Sequence, residues 1–317
     1  MFTLDNVYDA ESILRGVIRK TEMLYAPTLC PEVELYLKTE NLQTTGSFKL
    51  RGAYYKITRL TDEARSRGVV ACSAGNHAQG VAFAAFKNNI KSVICLPSCA
   101  PKFKIKSTRA YGAEVLLVDG VYDDAYNCAL DLQNKMGYTL IHPFDDEDII
   151  VGQGTVALEI LKQTSDIDAI VVPIGGGGLA SGIAFAVKSI DPHIKIYGVQ
   201  ASGAASMLNS IRENRIVDLP SVSTIADGIA VKKPGRLTYD LCSRYLDDIV
   251  TVSDDEICTA IITLLERCKL LSEGAGAASL AAVMFGKLNL KGKKTVCLIS
   301  GGNIDLETLG AIIKTKG

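Results

Sequence analysis

The chain has 317 residues, room for about two domains, and is 48% hydrophobic and 22% charged. With 34 Lys plus Arg against 35 Asp plus Glu, it carries a formal charge of -1, which argues against a nucleic-acid polymer as partner and against a solvating acidic tail. Nine scattered cysteines, an odd number, argue against a disulfide framework, and the three histidines lack zinc-ligand spacing. Reduced thiols in a cytoplasmic protein are the expectation.

In chain order, the N-terminus MFTLDNVYDAE carries acids early and lacks an apolar core, so it does not resemble a signal peptide. Residues 43–52 read QTTGSFKLRG and set Lys49 between Phe48 and Leu50. Most lysines are solvated surface charges. A lysine condenses with carbonyls only where burial or neighbours lower its pKa, and spacing alone leaves both readings of Lys49 open.

GVVACSA (68–74), KSVICLP (91–97), AEVLLVD (113–119) and YTLIHP (138–143) predict a first group of strands. Helical spacing falls between and after them, in HAQGVAFAAFKNN, VYDDAYNCALDLQNKM and VGQGTVALEILKQ. After the first strand, Ser73, Ala74, Gly75, Asn76 and His77 form a turn into a helix. Such a turn offers backbone and side-chain donors to a carboxylate. Ser73 is equally a helix cap, and His77 equally a core histidine.

Residues 169–187 contain no charge and approach the length of a membrane span. Pro173 and the four glycines after it instead predict a strand, a turn and a helix start, with no membrane segment. Gly175, Gly176, Gly177, Gly178 and Leu179 lie where helix-start amides and the helix dipole attract an anion, a phosphate above all. Close strand–helix packing is the alternative reason for the glycines. Gly175, Gly177 and Ala180 also fit the dinucleotide pattern, but the next strand, KIYGVQA, has Gln200 where that pattern wants an acid. The Walker pattern fails for want of Lys-Ser or Lys-Thr.

DDIVTVS and KTVCLIS complete the second group of strands, and the last leads into Ser300-Gly301-Gly302-Asn303. Alternating strands and helices predict an α/β protein with two open, twisted, mainly parallel sheets. The expected division is a large domain of 1–67 and 146–317 and a small domain of 68–145. Ligands are expected in the crevice at the carboxyl ends of the strands.

Taken together, TTGSFKLRGA, SAGNHAQG, GQGT, IGGGGLASG, ADGI, SEGAGA and SGGNID resemble the fold-type II pyridoxal-phosphate family, across nearly the whole chain. Within it, the motifs are most similar to catabolic threonine dehydratases and to serine racemases. The resemblance implies a tryptophan synthase β-like fold with pyridoxal 5'-phosphate in the cleft between the domains. It implies that Lys49 holds the cofactor as a Schiff base, Phe48 packs on its ring and Asn76 meets its 3'-oxygen. Gly175 through Leu179 would cradle the phosphate, Ser300 would meet the pyridine nitrogen, and Ser73, Ala74, Gly75, Asn76 and His77 would receive the substrate carboxylate. The implied reaction is β-elimination of L-threonine or L-serine to 2-oxobutanoate or pyruvate plus ammonia. Serine racemase with dehydratase activity is the alternative.

Three departures sharpen the expectation. Ala74 stands where serine racemases place a second serine, whose hydroxyl reprotonates the opposite face of Cα. The segment QASGAAS after the strand ending at Gln200 has no carboxylate, so the racemases' divalent-metal site is expected to be absent. The chain stops soon after SGGNID, which leaves no room for the regulatory domain of biosynthetic threonine dehydratases. Catabolic relatives respond to a nucleotide activator, and relatives form homodimers or homotetramers, so both are expected here.

Overall fold

The computed structural model describes residues 2–100 and 102–316, the side chains of 102–104 excepted. Ten strands form among these residues: β1 (Met23–Tyr25), β2 (Glu34–Lys38), β3 (Val69–Cys72), β4 (Ser92–Pro97), β5 (Glu114–Val118), β6 (Thr139–Leu140), β7 (Ala169–Pro173), β8 (Lys195–Ala201), β9 (Asp248–Val252) and β10 (Lys294–Leu298). They build a six-stranded sheet in the order β1-β2-β10-β7-β8-β9 and a four-stranded sheet in the order β5-β4-β3-β6. Among the described residues every strand pairing is parallel except β1 with β2 at the edge of the larger sheet.

The continuous apolar runs sit where helices cover both faces, and period-two alternation divides each run between two cores. In β7, Ile170 and Val172 pack beneath the helices Glu147–Gln163 and Gly178–Ile190, while Ala169 and Val171 face the helices Asp254–Thr263 and Gly274–Met284. In β3, Val69 and Ala71 join the core under helix Asn76–Lys87, and Val70 and Cys72 join the core under helix Tyr122–Met136. The right-handed β–α–β path brings β3, β7 and β10 to the same cleft by their carboxyl ends.

The helix Lys49–Thr58 joins the two halves. Leu50, Ala53 and Ile57 lie on one face of it and enter the core of the smaller sheet. Leu50 and Ile57 have no exposed surface, worth about 1.5–3 kcal/mol each. On its other face, Gly52 crosses Gly152 of helix Glu147–Gln163. A Cβ on Gly152 would lie 2.6 Å from Gly52 Cα, and the Gly52 amide donates to Gln153 Oε1 at 3.2 Å. The GQGT motif is therefore the surface against which the lysine-bearing helix is seated.

A buried ion group pins the same crossing. Arg51 forks onto both oxygens of Glu40 at 2.8 Å and reaches Glu159 Oε1 at 2.8 Å and Thr155 Oγ1 at 3.2 Å. Lys38 Nζ donates to Glu159 Oε2, Thr21 O and Gln163 Oε1 at 2.7, 2.7 and 2.9 Å. Two cations face two carboxylates with their donors used, the condition under which charges are tolerated in a core.

Candidate active site

The segment that carries Lys49 is tied to the end of β10 before any side chain is considered. The Phe48 amide donates to Ser300 O at 3.2 Å, Gly302 N donates to Gly46 O at 2.9 Å, and Ser47 and Gly301 form an antiparallel bridge. Lys49 then opens its helix with the side chain turned into a cavity of about 710 Å³. Its Nζ donates to Pro143 O at 2.7 Å and lies 5.3 Å from the centre of the Phe48 ring. Burial brings the amine down to about 8, an effect that the nearby charge of Glu273 partly opposes. At neutral pH a useful fraction of this lysine is the free amine, the form that attacks a carbonyl and accepts a proton.

The glycine turn forms the opposite wall. β7 ends at Pro173, and helix Gly178–Ile190 starts with Gly177 as its N-cap at φ 98°, with no side chain capping it. First-turn amides have no partner inside the helix, so their N–H groups are available to a ligand. A carbonyl of the turn is drawn the other way: Thr238 Oγ1 donates to Gly176 O at 2.6 Å. Packing also demands glycine here, since a Cβ on Gly176 would stand 2.3 Å from the Phe144 ring. The packing reading of the turn thus applies to its back, while its front lines the cavity. Gln200, the residue that weakened the dinucleotide reading, is fully buried and spent on the main chain, donating to Ile174 O and Ala204 O and accepting from Leu208 N.

The third wall is the turn after β3. Gly75 precedes helix Asn76–Lys87, and a Cβ built on it would meet nothing within 4 Å. Ser73 Oγ accepts from the Gly75 amide at 3.1 Å, a local bond that braces the turn. Ala74 is half-buried, lines the same cavity and packs against the core of the smaller sheet. His77 is buried, with Nε2 donating to Ile141 O at 2.8 Å; burial and the charge of Lys49 depress it to about 3, so it is a neutral ring.

Asn76 links this turn to β10. Its Nδ2 donates to Glu273 Oε1 at 2.6 Å, and its Oδ1 accepts from Asn303 Nδ2 at 2.6 Å, which also bonds Thr45 O at 2.9 Å. Ser300 is buried at the cavity edge, its hydroxyl directed to Ala275 O over a long 3.4 Å.

Phe48, Lys49, the turn 73–77, the turn 175–179 and Ser300 therefore line one cavity. Among the lining residues not singled out from the sequence as site residues are Glu273, Asn303 and the loop His142-Pro143-Phe144. The first two sit inside the SEGAGA and SGGNID motifs, and the loop begins with the last two residues of YTLIHP, so each had a local signal.

The family model for pyridoxal-phosphate dependent enzymes matches residues 14–302. The chain is 49% identical over 315 residues to L-threonine ammonia-lyase of Thermotoga maritima, which covers 99% of this chain and 78% of that relative. It is 44% identical over 314 residues to the catabolic L-threonine dehydratase TdcB of Escherichia coli K12, covering 98% and 95% of the two chains. Among solved structures, maize serine racemase superposes with a TM-score of 0.93 at 35% identity, covering 98% of this chain and 97% of the racemase. Matched along almost its whole length, this chain belongs to the pyridoxal-phosphate dependent enzyme family.

Proposed function

We propose that the chain is an ammonia-lyase that eliminates water from L-threonine, and from L-serine, to give 2-oxobutanoate or pyruvate and ammonia. The observation that carries this reading is Lys49, a cavity-facing amine brought down to about 8 opposite an uncapped glycine turn. The donor set suits pyridoxal phosphate: an amine for its aldehyde, helix-start amides of Gly175–Leu179 for its phosphate, the Phe48 ring for its face, Asn76 for its 3'-oxygen and the Ser300 hydroxyl for its ring nitrogen.

Bound there, the cofactor supplies an electron sink for negative charge at the substrate Cα. The chain's own groups do the rest. Lys49 Nζ would hold the cofactor's aldehyde carbon and, as a free amine oriented by the Pro143 carbonyl, would take the Cα proton. Amides and side chains of Ser73, Ala74, Gly75, Asn76 and His77 receive the carboxylate at the start of a helix, where the dipole favours an anion. The neutral Ser300 hydroxyl would meet the cofactor's ring nitrogen without the negative charge that would hold a proton there. The enamine product leaves and hydrolyses to the 2-oxo acid.

Serine racemase activity is the second reading, favoured by the structural likeness to the maize enzyme. Ala74 weighs against it, because a methyl group in the cavity has no proton to deliver to the second face of Cα. Incubation of the purified protein with L-threonine and with L-serine tests the choice: the reading requires 2-oxo acid and ammonia in equal amounts with little D-serine.

The division into a large domain (1–67 and 146–317) and a small domain (68–145) follows the two sheets, with helix Lys49–Thr58 between them. A cytoplasmic, amino-acid-catabolic role is supported by nine free cysteines and by the likeness to the catabolic dehydratase. Assembly into a homodimer or homotetramer rests on the family resemblance. A nucleotide activator rests on the family resemblance alone.

A further inference from the structure

The loop 141–145 holds three nitrogen bases of the cavity, each by a different polar group. Ile141 O accepts from His77 Nε2, and Pro143 O accepts from Lys49 Nζ. His142 Nδ1 accepts from the amides of Phe144 at 3.3 Å and Asp145 at 2.8 Å. That last arrangement fixes a tautomer. A ring nitrogen that accepts two N–H groups presents its lone pair, so the ring proton sits on Nε2. Protonating Nδ1 would turn one N–H against two others.

The charges around the ring act in the same sense. Burial lowers the imidazole's pKa; Asp145 opposes this, Lys49 adds to it, and Asp146 opposes it, leaving His142 below its ordinary value. His77, the other ring in range, is itself neutral. His142 lines the cavity that holds Lys49, and the hydrogen bonds its ring makes among the described residues are both at Nδ1.

We propose that His142 is a further substrate-binding residue, whose neutral Nε2–H donates to the β-oxygen of the amino acid as the Cβ–O bond breaks. This rests on the ammonia-lyase reading above. The helix start at Asn76 has the dipole and amides that suit the charged carboxylate, whereas an uncharged donor on a separate loop suits the uncharged hydroxyl. The hydrogen bond strengthens as negative charge gathers on the departing oxygen. His142 does not supply the proton that completes water, because a neutral ring giving up Nε2–H would become an imidazolate; the proton that Lys49 Nζ takes from Cα balances the departing hydroxide.

The test compares leaving groups. L-threonine must expel hydroxide, while β-chloro-L-alanine expels chloride, which needs no donor. His142→Phe is expected to lower kcat for threonine about tenfold or more, with a loss for β-chloro-L-alanine of at most about threefold. His142→Gln, which keeps an N–H donor, is expected to recover part of the threonine rate. A role confined to bracing the loop would reduce both substrates alike, and that result would overturn the proposal, as would no change in either. An independent readout is the imidazole 15N–1H spectrum of the holoenzyme, tractable with only three histidines in the chain. It should show His142 as the Nε2–H tautomer at pH 7; the Nδ1–H tautomer or an imidazolium would contradict the proposal. If wild type processes β-chloro-L-alanine but never L-threonine, the ammonia-lyase reading fails instead, and the two failures are distinct.

Discussion

Lys49 Nζ and the carbonyl oxygen of Pro143 stand 2.7 Å apart although 94 positions separate them in the chain. The contact joins the helix that carries the reactive amine to the loop that leaves the smaller sheet. Phe144, the next residue, packs its ring against Gly176 of the glycine turn. Asp145 beyond it caps the helix Arg236–Tyr245 by accepting from the amides of Arg236, Leu237 and Thr238. Three consecutive residues thus couple the amine, the glycine turn and both sheets.

The depressed lysine gives a pH dependence with a defined sign. An ordinary lysine at 10.5 is almost wholly protonated near neutrality, whereas Lys49 at about 8 is not. Only the neutral amine attacks the cofactor aldehyde, so apo-enzyme should be reconstituted faster as pH rises, levelling above about 8. Stopped-flow absorbance after adding pyridoxal phosphate measures this; a rate that keeps rising tenfold per unit beyond pH 9 would mean an unshifted lysine.

The glycine turn should be intolerant of a methyl group. A Cβ at Gly176 would be 2.3 Å from the Phe144 ring, so either the ring or the turn must move. Gly176→Ala should weaken cofactor affinity at least about tenfold, roughly 1.4 kcal/mol, with overpacking adding about 1–3 kcal/mol of instability. Spectral titration with pyridoxal phosphate and a thermal melt of the apo-enzyme separate the two effects.

Arg51 should matter for stability more than for chemistry. Burial raises the Glu40 carboxyl, and Arg51 together with Lys38 more than offsets this, leaving it below its ordinary value of 4.5. Arg51→Met strips Glu40 of its cation and leaves Glu159 with Lys38 alone, and breaking such a buried pair costs about 3–5 kcal/mol. In wild type the depressed Glu40 contributes stability that is present above about pH 4.5 and lost as pH falls through its lower folded value. Denaturant melts of both proteins between pH 7 and pH 4 check the size and the direction.

Ala74→Ser introduces a hydroxyl facing the cavity, on the turn assigned to the substrate carboxylate. The ratio of D-serine to pyruvate formed from L-serine should rise. Chiral chromatography of the reaction mixture reads it, and an unchanged ratio would deny that this single methyl governs the outcome.

The strands most readily legible in the sequence were those covered on both faces, because Val69–Cys72 or Ala169–Pro173 leave no polar position to mask them. β1 and β2 escaped notice for the opposite reason. Met23–Tyr25 is too short to show a period, and Glu34–Lys38 is flanked by charges. Lys38 looks like a surface residue yet is wholly buried, because its partners Glu159 and Gln163 come from more than a hundred positions away. The site was legible where its chemistry is local: turns such as 73–77 and 175–179 announce free amides by their own composition. The lowered pKa of Lys49 is a tertiary effect, created when its helix docks across Gly52 and Gly152. Glu273 and Asn303 gain their roles only through Asn76, and His142 through the fold of its own loop, relationships that no spacing encodes.

The most direct test of the central claim is the visible spectrum of wild type and Lys49→Ala after incubation with pyridoxal phosphate, recorded before and after L-threonine while 2-oxobutanoate is followed in the same cuvette. Wild type should show the absorbance of lysine-bound cofactor, the band should change on adding threonine, and 2-oxobutanoate should accumulate; the variant should show neither that band nor turnover. A Lys49→Ala protein that still eliminates water at the wild-type rate would contradict the assignment of Lys49 as cofactor anchor and base.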